Sequence, residues 1–279
     1  LKKAFDIKKI SSIIFMNAKI GFIACSLMIV SQPAFAQDDD ENDGNRVRKF
    51  PSVNRTISTS ASTSALKILF VGNSILYGGD VPGVFLGLIR AKDAQAAVKM
   101  SEVVGGNYTL KNHLENGNAL KAIDSEGPWD YVVLQEQSSH LGNEVGKAIA
   151  ETKPLAARIA SNRSKLVVFD SWNKLISPDY QIFNQCNEQF ARSLGAERVP
   201  VLTALAQAHQ IQGAKLFIGD GHHLNSDGIY LAACMLYAKI LRKSPVGLPN
   251  KVYLDDKLIC ETDFNRAKQL QTIASSYVK

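Results

Sequence analysis

No two of the four cysteines lie close together. Cys25, Cys186, Cys234 and Cys260 are spread over 279 residues, which removes the paired spacings that a structural zinc site or a dithiol redox centre needs. Tryptophan is scarce, with only Trp129 and Trp172, and no internal repeat runs along the chain, so repeat architectures are excluded. The apolar stretch at residues 20–30 falls short of the roughly 20 residues of a membrane-spanning helix, so no permanent membrane anchor is expected. Excess charge is lacking too. The chain carries +6, but residues 1–36 hold five lysines and one aspartate, and without them the net charge is +2. Nothing in that balance favours nucleic acid as a partner.

What is present at the start reads as a targeting segment. Lys2, Lys3, Lys8, Lys9 and Lys19 precede the apolar run, and Ala34-Phe35-Ala36 supplies small residues at signal-peptidase spacing. Residues 1–36 are therefore expected to be a signal peptide, leaving an exported chain, periplasmic or extracellular, that starts near Gln37. Met16, just ahead of the run, is a candidate translation start, and Cys25 lies inside the run, where a lipid anchor is not expected. Export leaves three cysteines in an oxidising compartment, where one disulfide with a free thiol and three buried thiols are both compatible with the sequence.

Asp38, Asp39, Asp40, Glu41 and Asp43 form an acidic block, and residues 56–64 are almost wholly Ser, Thr and Ala. Such a segment has too few apolar side chains to offset the entropy of ordering it, so residues 37–64 are expected to be a flexible linker ahead of a domain at 65–279. There the pattern changes. Short apolar runs at residues 66–71, 98–104, 131–134, 166–169 and 199–202 read as strands, and helical patterns occupy 145–160, 179–194 and 226–241. Strands alternating with helices, the strands apolar throughout, predict an α/β fold with a mainly parallel sheet covered on both faces. After Pro245, residues 248–259 are expected to add an edge strand and residues 261–277 a docked helix.

In such sheets ligands sit outside the carboxyl ends of the strands, and two segments carry chemistry there. Gly72-Asn73-Ser74 follows the first strand. A serine on that turn has backbone N–H groups nearby for a developing oxyanion, although a Gly-Asn-Ser turn is also ordinary loop chemistry. Gly219-Asp220-Gly221-His222-His223-Leu224-Asn225 precedes the last strong helix. An aspartate three residues before a histidine can set its carboxylate against Nδ1–H and prepare Nε2 to take a proton from a serine hydroxyl. Asn225 or Ser226 is expected to cap the following helix as well.

Gly72-Asn73-Ser74 near the start of the domain and Asp220-x-x-His223 near its end resemble the SGNH or GDSL hydrolase superfamily. The resemblance implies a flavodoxin-like three-layer α/β/α sandwich with a five-stranded sheet and a Ser-His-Asp esterase mechanism. Ser74 would be nucleophile, His223 base and then acid, Asp220 its orienting carboxylate. It also implies an oxyanion hole of Ser74 N–H, a glycine N–H from Gly105-Gly106-Asn107, with Gly106 preferred to Gly105, and a side-chain amide. The superfamily takes that amide from Gly-x-Asn-Asp after the third strand. Here the run is Gln135-Glu136-Gln137-Ser138, so Gln137 stands at the asparagine position by spacing, with Gln135 as the alternative. The α/β-hydrolase turn Gly-x-Ser-x-Gly is not met, since Leu76 stands where its last glycine would be.

Asn73, Trp172 and His222 are candidate substrate contacts, Trp172 as a flat face for a sugar ring, while Trp129 is expected in the core. His113 and His140 follow the second and third strands and could approach the same cleft, although a lone loop histidine is usually solvated. The reading is an exported serine esterase acting on a small-molecule or carbohydrate ester, with an acetyl group on a carbohydrate as the expected substrate and no metal or cofactor required. An O-acyltransferase using the same triad, and an inactive carbohydrate-binding or structural protein on the same fold, are the alternatives.

Overall fold

The computed structural model describes residues 65–174, 180–211 and 213–278, together with the backbone of residues 46–49. The expected signal peptide and most of the expected linker lie outside the described residues. One piece of the linker does not behave as a tether: Arg46–Lys49 forms strand β1, antiparallel to an edge of the main sheet. Pairing of this kind satisfies backbone groups whatever the side chains are, which a judgement from composition does not register.

The sheet is built from β2 (Leu66–Gly72), β3 (Val98–Val104), β4 (Tyr131–Leu134), β5 (Lys165–Phe169) and β6 (Glu197–Val199) in the order β1-β3-β2-β4-β5-β6. β2 to β6 are all parallel. The five parallel strands therefore follow flavodoxin-like order, and the crevice at the order reversal lies at the carboxyl ends of β2 and β4. Both faces are covered. Ile68 and Phe70 of β2 pack with helices α2 (Val81–Lys92), α7 (Val201–His209) and α8 (Ser226–Leu241). Leu69 and Val71 pack on the other face with α4 (Asn118–Ser125), α5 (Ser138–Ser161) and α6 (Tyr180–Ser193). The strands are apolar throughout because neither face meets water.

Three expectations on the elements change. Residues 199–202 are not a strand: β6 ends at Val199 and Pro200 caps α7, because proline offers no N–H to continue the ladder. The helix expected from residue 145 begins at Ser138 and passes a kink at Glu144. Residues 248–259 do not extend the main sheet. β7 (Lys251–Leu254) and β8 (Lys257–Glu261) form a separate hairpin, closed by Asp255 and Asp256 with φ of 50° and 64°, the left-handed pair that a tight hairpin turn uses. Val252, Leu254 and Cys260 of this hairpin are buried in the α2/α8 core, and α9 (Phe264–Ser275) adds Ala267, Leu270 and Ala274 to it, so the segment docks as expected. Cys186, Cys234 and Cys260 are buried and free, which selects the unpaired alternative.

α8 sets the position of the loop before it. Asn225 Oδ1 caps the helix, accepting from Asp227 N–H at 3.1 Å and Gly228 N–H at 3.2 Å, and a Cβ on Gly228 would lie 2.3 Å from the carbonyl oxygen of Leu216. Glycine is there because the helix lies directly against the start of the 216–225 segment. Alanine in place of glycine normally stabilises a helix by up to about 1 kcal/mol. At this position the overlap should reverse the sign, and Gly228→Ala is expected to lose about 1–3 kcal/mol in chemical denaturation. Unchanged or raised stability would contradict the packing described.

Candidate active site

At Gly72 the chain leaves β2 and turns at once into α1 (Ser74–Tyr77). The turn is tight because Gly72 has no side chain: a Cβ there would lie 2.8 Å from Gln135 Oε1 and 2.8 Å from Leu76 Cδ1. Asn73 caps the turn. Its Oδ1 accepts from Ile75 N–H at 3.2 Å, its Nδ2 donates to Tyr108 O at 3.0 Å, and its own N–H donates to Gln135 Oε1 at 2.9 Å. Asn73 is 3% exposed, and its side chain is used in holding the turn, which leaves little of it open to the substrate contact expected of it. Ser74 follows, half-buried. Its N–H stands at the head of the helix, where no carbonyl of the helix can reach it.

The second arm comes from the segment before α8. Phe217 and Leu224 form an antiparallel bridge, Ile218 N–H donates to His223 O at 2.9 Å, and Asn225 N–H donates to Leu216 O at 3.0 Å. Between these ties Asp220 folds back on the chain, its Oδ1 accepting from His222 N–H at 2.8 Å and His223 N–H at 2.9 Å. Asp220 Oδ2 accepts from His223 Nδ1 at 2.6 Å, and His223 Nε2 lies 2.9 Å from Ser74 Oγ. A carboxylate at Nδ1 keeps the proton there and leaves Nε2 as an acceptor for the serine hydroxyl. Partial burial alone would raise the Asp220 pKa, but the hydrogen bonds from His222 and His223 outweigh it and bring it down to about 2. Serine, histidine and carboxylate, the first two 149 residues apart in sequence, thus form one continuous relay.

His222 lies edge-on to His223, ring centroids 5.0 Å apart. Burial, and then the neighbouring His223, lower its pKa. Its carbonyl accepts from Trp172 Nε1–H at 2.9 Å. Trp172 is 1% exposed and packs against Phe169, so the expected sugar platform does not exist. A buried indole needs a partner for its N–H, and by taking the His222 carbonyl Trp172 braces the histidine loop instead. Trp129 is buried in the core.

Of the candidate oxyanion donors, two are already engaged. Gly105 N–H donates to Gly72 O at 3.2 Å, which leaves Gly106 as the glycine with a free N–H among the described residues. Gln135 is fully buried; its Oε1 holds Asn73 N–H, and its Nε2 donates to Ser171 Oγ at 3.0 Å and to Glu136 O. It ties together the ends of β2, β4 and β5 and has no donor left to offer a substrate. Gln137 caps α5, its Oε1 accepting from His140 N–H at 2.7 Å and Ser139 O–H at 2.8 Å, while its Nε2 donates to Asn107 Oδ1 at 2.9 Å.

His113 and His140 do not reach the cleft as loop residues; each sits on a helix, His113 on α3 (Leu110–Glu115) and His140 on α5. His113 is fully buried, and its Nε2 lies 2.8 Å from Gly72 O. Burial drives its pKa down to about 4 against that hydrogen bond, so it is a neutral strut under the serine turn. His140 lies 3.6 Å from Glu136 and 3.2 Å from Glu151, with its pKa raised chiefly by Glu136.

No protein-family model matches the sequence, and no curated protein is significantly similar to it. Solved structures do match in shape. A candidate SGNH hydrolase from Slackia heliotrinireducens is 21% identical with a TM-score of 0.53, the match covering 63% of this chain and 100% of that one. An acetylxylan esterase from Geobacillus stearothermophilus, solved as a catalytic mutant, is 12% identical with a TM-score of 0.53 and coverage of 62% and 93%. An alpha/beta hydrolase from the metagenome of Lake Arreo, Spain, is 15% identical with a TM-score of 0.51 and coverage of 63% and 95%. At these identities the likeness is one of fold: the chain is built on the three-layer α/β fold of the SGNH hydrolases.

Proposed function

We propose that the protein is an exported serine esterase that hydrolyses carboxylic esters carrying a small acyl group. The observation that carries this reading is the His223 imidazole held between Ser74 Oγ at 2.9 Å and Asp220 Oδ2 at 2.6 Å. An imidazole so placed takes the hydroxyl proton as Ser74 Oγ bonds to the ester carbonyl carbon, and Asp220 stabilises the imidazolium that results. The carbonyl oxygen becomes an oxyanion facing the N–H groups of Ser74 and Gly106. As the intermediate collapses, His223 gives its proton to the departing alkoxide. Water then attacks the acyl-serine, losing its proton to His223 by the same route, and releases the acid and the free serine. This chemistry needs no metal or cofactor.

An acetyl group on a carbohydrate is the proposed substrate. Its support is the acetylxylan esterase among the structures of similar fold and a leader sequence that would deliver the enzyme outside the cytoplasm. The intact relay also favours an enzyme over an inactive binding protein on this fold, since an idle site has no need of a carboxylate-held imidazole on the serine hydroxyl.

The test is hydrolysis of p-nitrophenyl acetate, butyrate and octanoate by the protein without its leader. Wild type should turn over the acetate fastest, and Ser74→Ala should be slower by roughly three orders of magnitude or more. Equal rates in the two proteins would remove the esterase reading, and a preference for octanoate would remove the small acyl group. Asp220→Asn should lower kcat by roughly 10⁴-fold through the wrong histidine tautomer. A carboxylate with a pKa of about 2 is ionised across the neutral range and is protonated only as pH falls toward that value, so Asp220 itself should add no titration step to the wild-type kcat profile near neutrality.

A further inference from the structure

We propose that the side-chain amide completing the oxyanion hole comes from Asn107, with Gln137 as the positioning residue that aims it; this rests on the serine-esterase reading above. The superfamily resemblance places that amide after the strand β4. The geometry here places it after β3.

The first argument is topological. β2 lies between β3 and β4, and neighbouring strands are about 4.8 Å apart. Asn107 follows the end of β3 at Val104, Gln137 follows the end of β4 at Leu134, and the two are hydrogen-bonded at 2.9 Å. A direct bond between residues leaving the two flanking strands must cross the end of the strand between them, where Gly72 turns into Ser74. The loop carrying Asn107 is also drawn onto that turn at both ends, through Gly105 N–H to Gly72 O at 3.2 Å and Asn73 Nδ2 to Tyr108 O at 3.0 Å.

The second argument fixes which atom is offered. His140 N–H can only donate, so the Gln137 atom that receives it at 2.7 Å is Oε1. Nε2 must then face Asn107, and the Asn107 atom that receives it is Oδ1. The orientation of both amides follows from one backbone donor. Asn107 Nδ2, with two N–H groups, is left without a partner among the described residues, on an exposed side chain. Its backbone has φ of 57°, a left-handed conformation that asparagine tolerates better than most residues. The frame beneath is held by Glu136, 1% exposed, whose Oε1 accepts Gln137 N–H at 2.7 Å and Leu110 N–H at 3.2 Å, joining the two segments that carry the amides. Ser74 N–H, Gly106 N–H and Asn107 Nδ2–H would then surround the oxyanion, while Gln137, with one of its two Nε2–H groups spent on Asn107 Oδ1, aims that amide.

Steady-state kinetics with p-nitrophenyl acetate on wild type, Asn107→Ala, Gln137→Ala, the double variant and Ser74→Ala tests this, with thermal melts to show that each is folded. Asn107→Ala should lower kcat by roughly 10²–10³-fold, the loss typical of one oxyanion donor, with little change in KM. Asn107→Asp, which keeps the shape and removes the donor, should lose at least as much. Gln137→Ala should lose less, and the double variant should be no slower than Asn107→Ala alone, because Gln137 acts through Asn107. Losses that multiply in the double variant would make Gln137 a donor in its own right and overturn the assignment. So would a folded Asn107→Ala with wild-type kcat, or one altered in KM alone. A wild type no faster than Ser74→Ala would instead fail the esterase reading itself, whatever Asn107 does.

Discussion

A buried primary amide has to have its donors and acceptor met or it destabilises the fold, and Gln135 meets that demand by joining three strand ends at once. Its oxygen holds the backbone of Asn73 after β2, and its nitrogen holds Glu136 O after β4 and Ser171 after β5. The contact works only because Gly72 presents no side chain to it. Ser171 is in turn held by Asn187 of α6, which accepts its N–H at 2.8 Å. The place of Ser74 is therefore set by a polar network in the interior, with α1 itself contributing only a single helical turn.

The histidine arm is supported from a different direction. Gly228 lets α8 lie against Leu216, the Phe217–Leu224 bridge closes the segment, and Trp172 reaches from the end of β5 to the His222 carbonyl. Within that frame Asp220 uses one oxygen on backbone N–H groups and the other on His223, so the same hydrogen bonds shape the loop and orient the imidazole. Positioning and electrostatics are one feature here: the contacts that fold the loop are those that depress the carboxylate pKa.

The parallel sheet was legible because its strands are apolar on both faces and its helices keep a helical period; Ser74, Asp220 and His223 were singled out together by the resemblance of Gly-Asn-Ser and Asp-x-x-His to the SGNH superfamily, and only the Asp220–His223 spacing translates directly into local geometry. What was not legible depended on partners distant in sequence. Trp172 looked like a sugar platform, since an isolated tryptophan after a strand does not reveal that its ring is enclosed and its N–H committed 50 residues on. Asn73 looked available for the same reason. Residues 199–202 misled because apolar side chains there serve the first turn of a helix after Pro200 as readily as a strand. Asn107 carried one signal, its place directly after Gly105-Gly106 at the end of a strand, but its bond to Gln137 appears only when β3 and β4 are seen to flank β2. The order of strands in a sheet is not written in any local pattern.

The central claim is that Ser74 is an activated nucleophile, and covalent labelling tests it most directly. The protein would be treated with an organophosphonate or a sulfonyl fluoride, digested, and its peptides read by mass spectrometry, beside a His223→Ala variant. The account predicts one adduct, on Ser74, formed rapidly in wild type and suppressed when His223 is removed. Folded protein with Ser74 unmodified, or labelled equally well without His223, would contradict it.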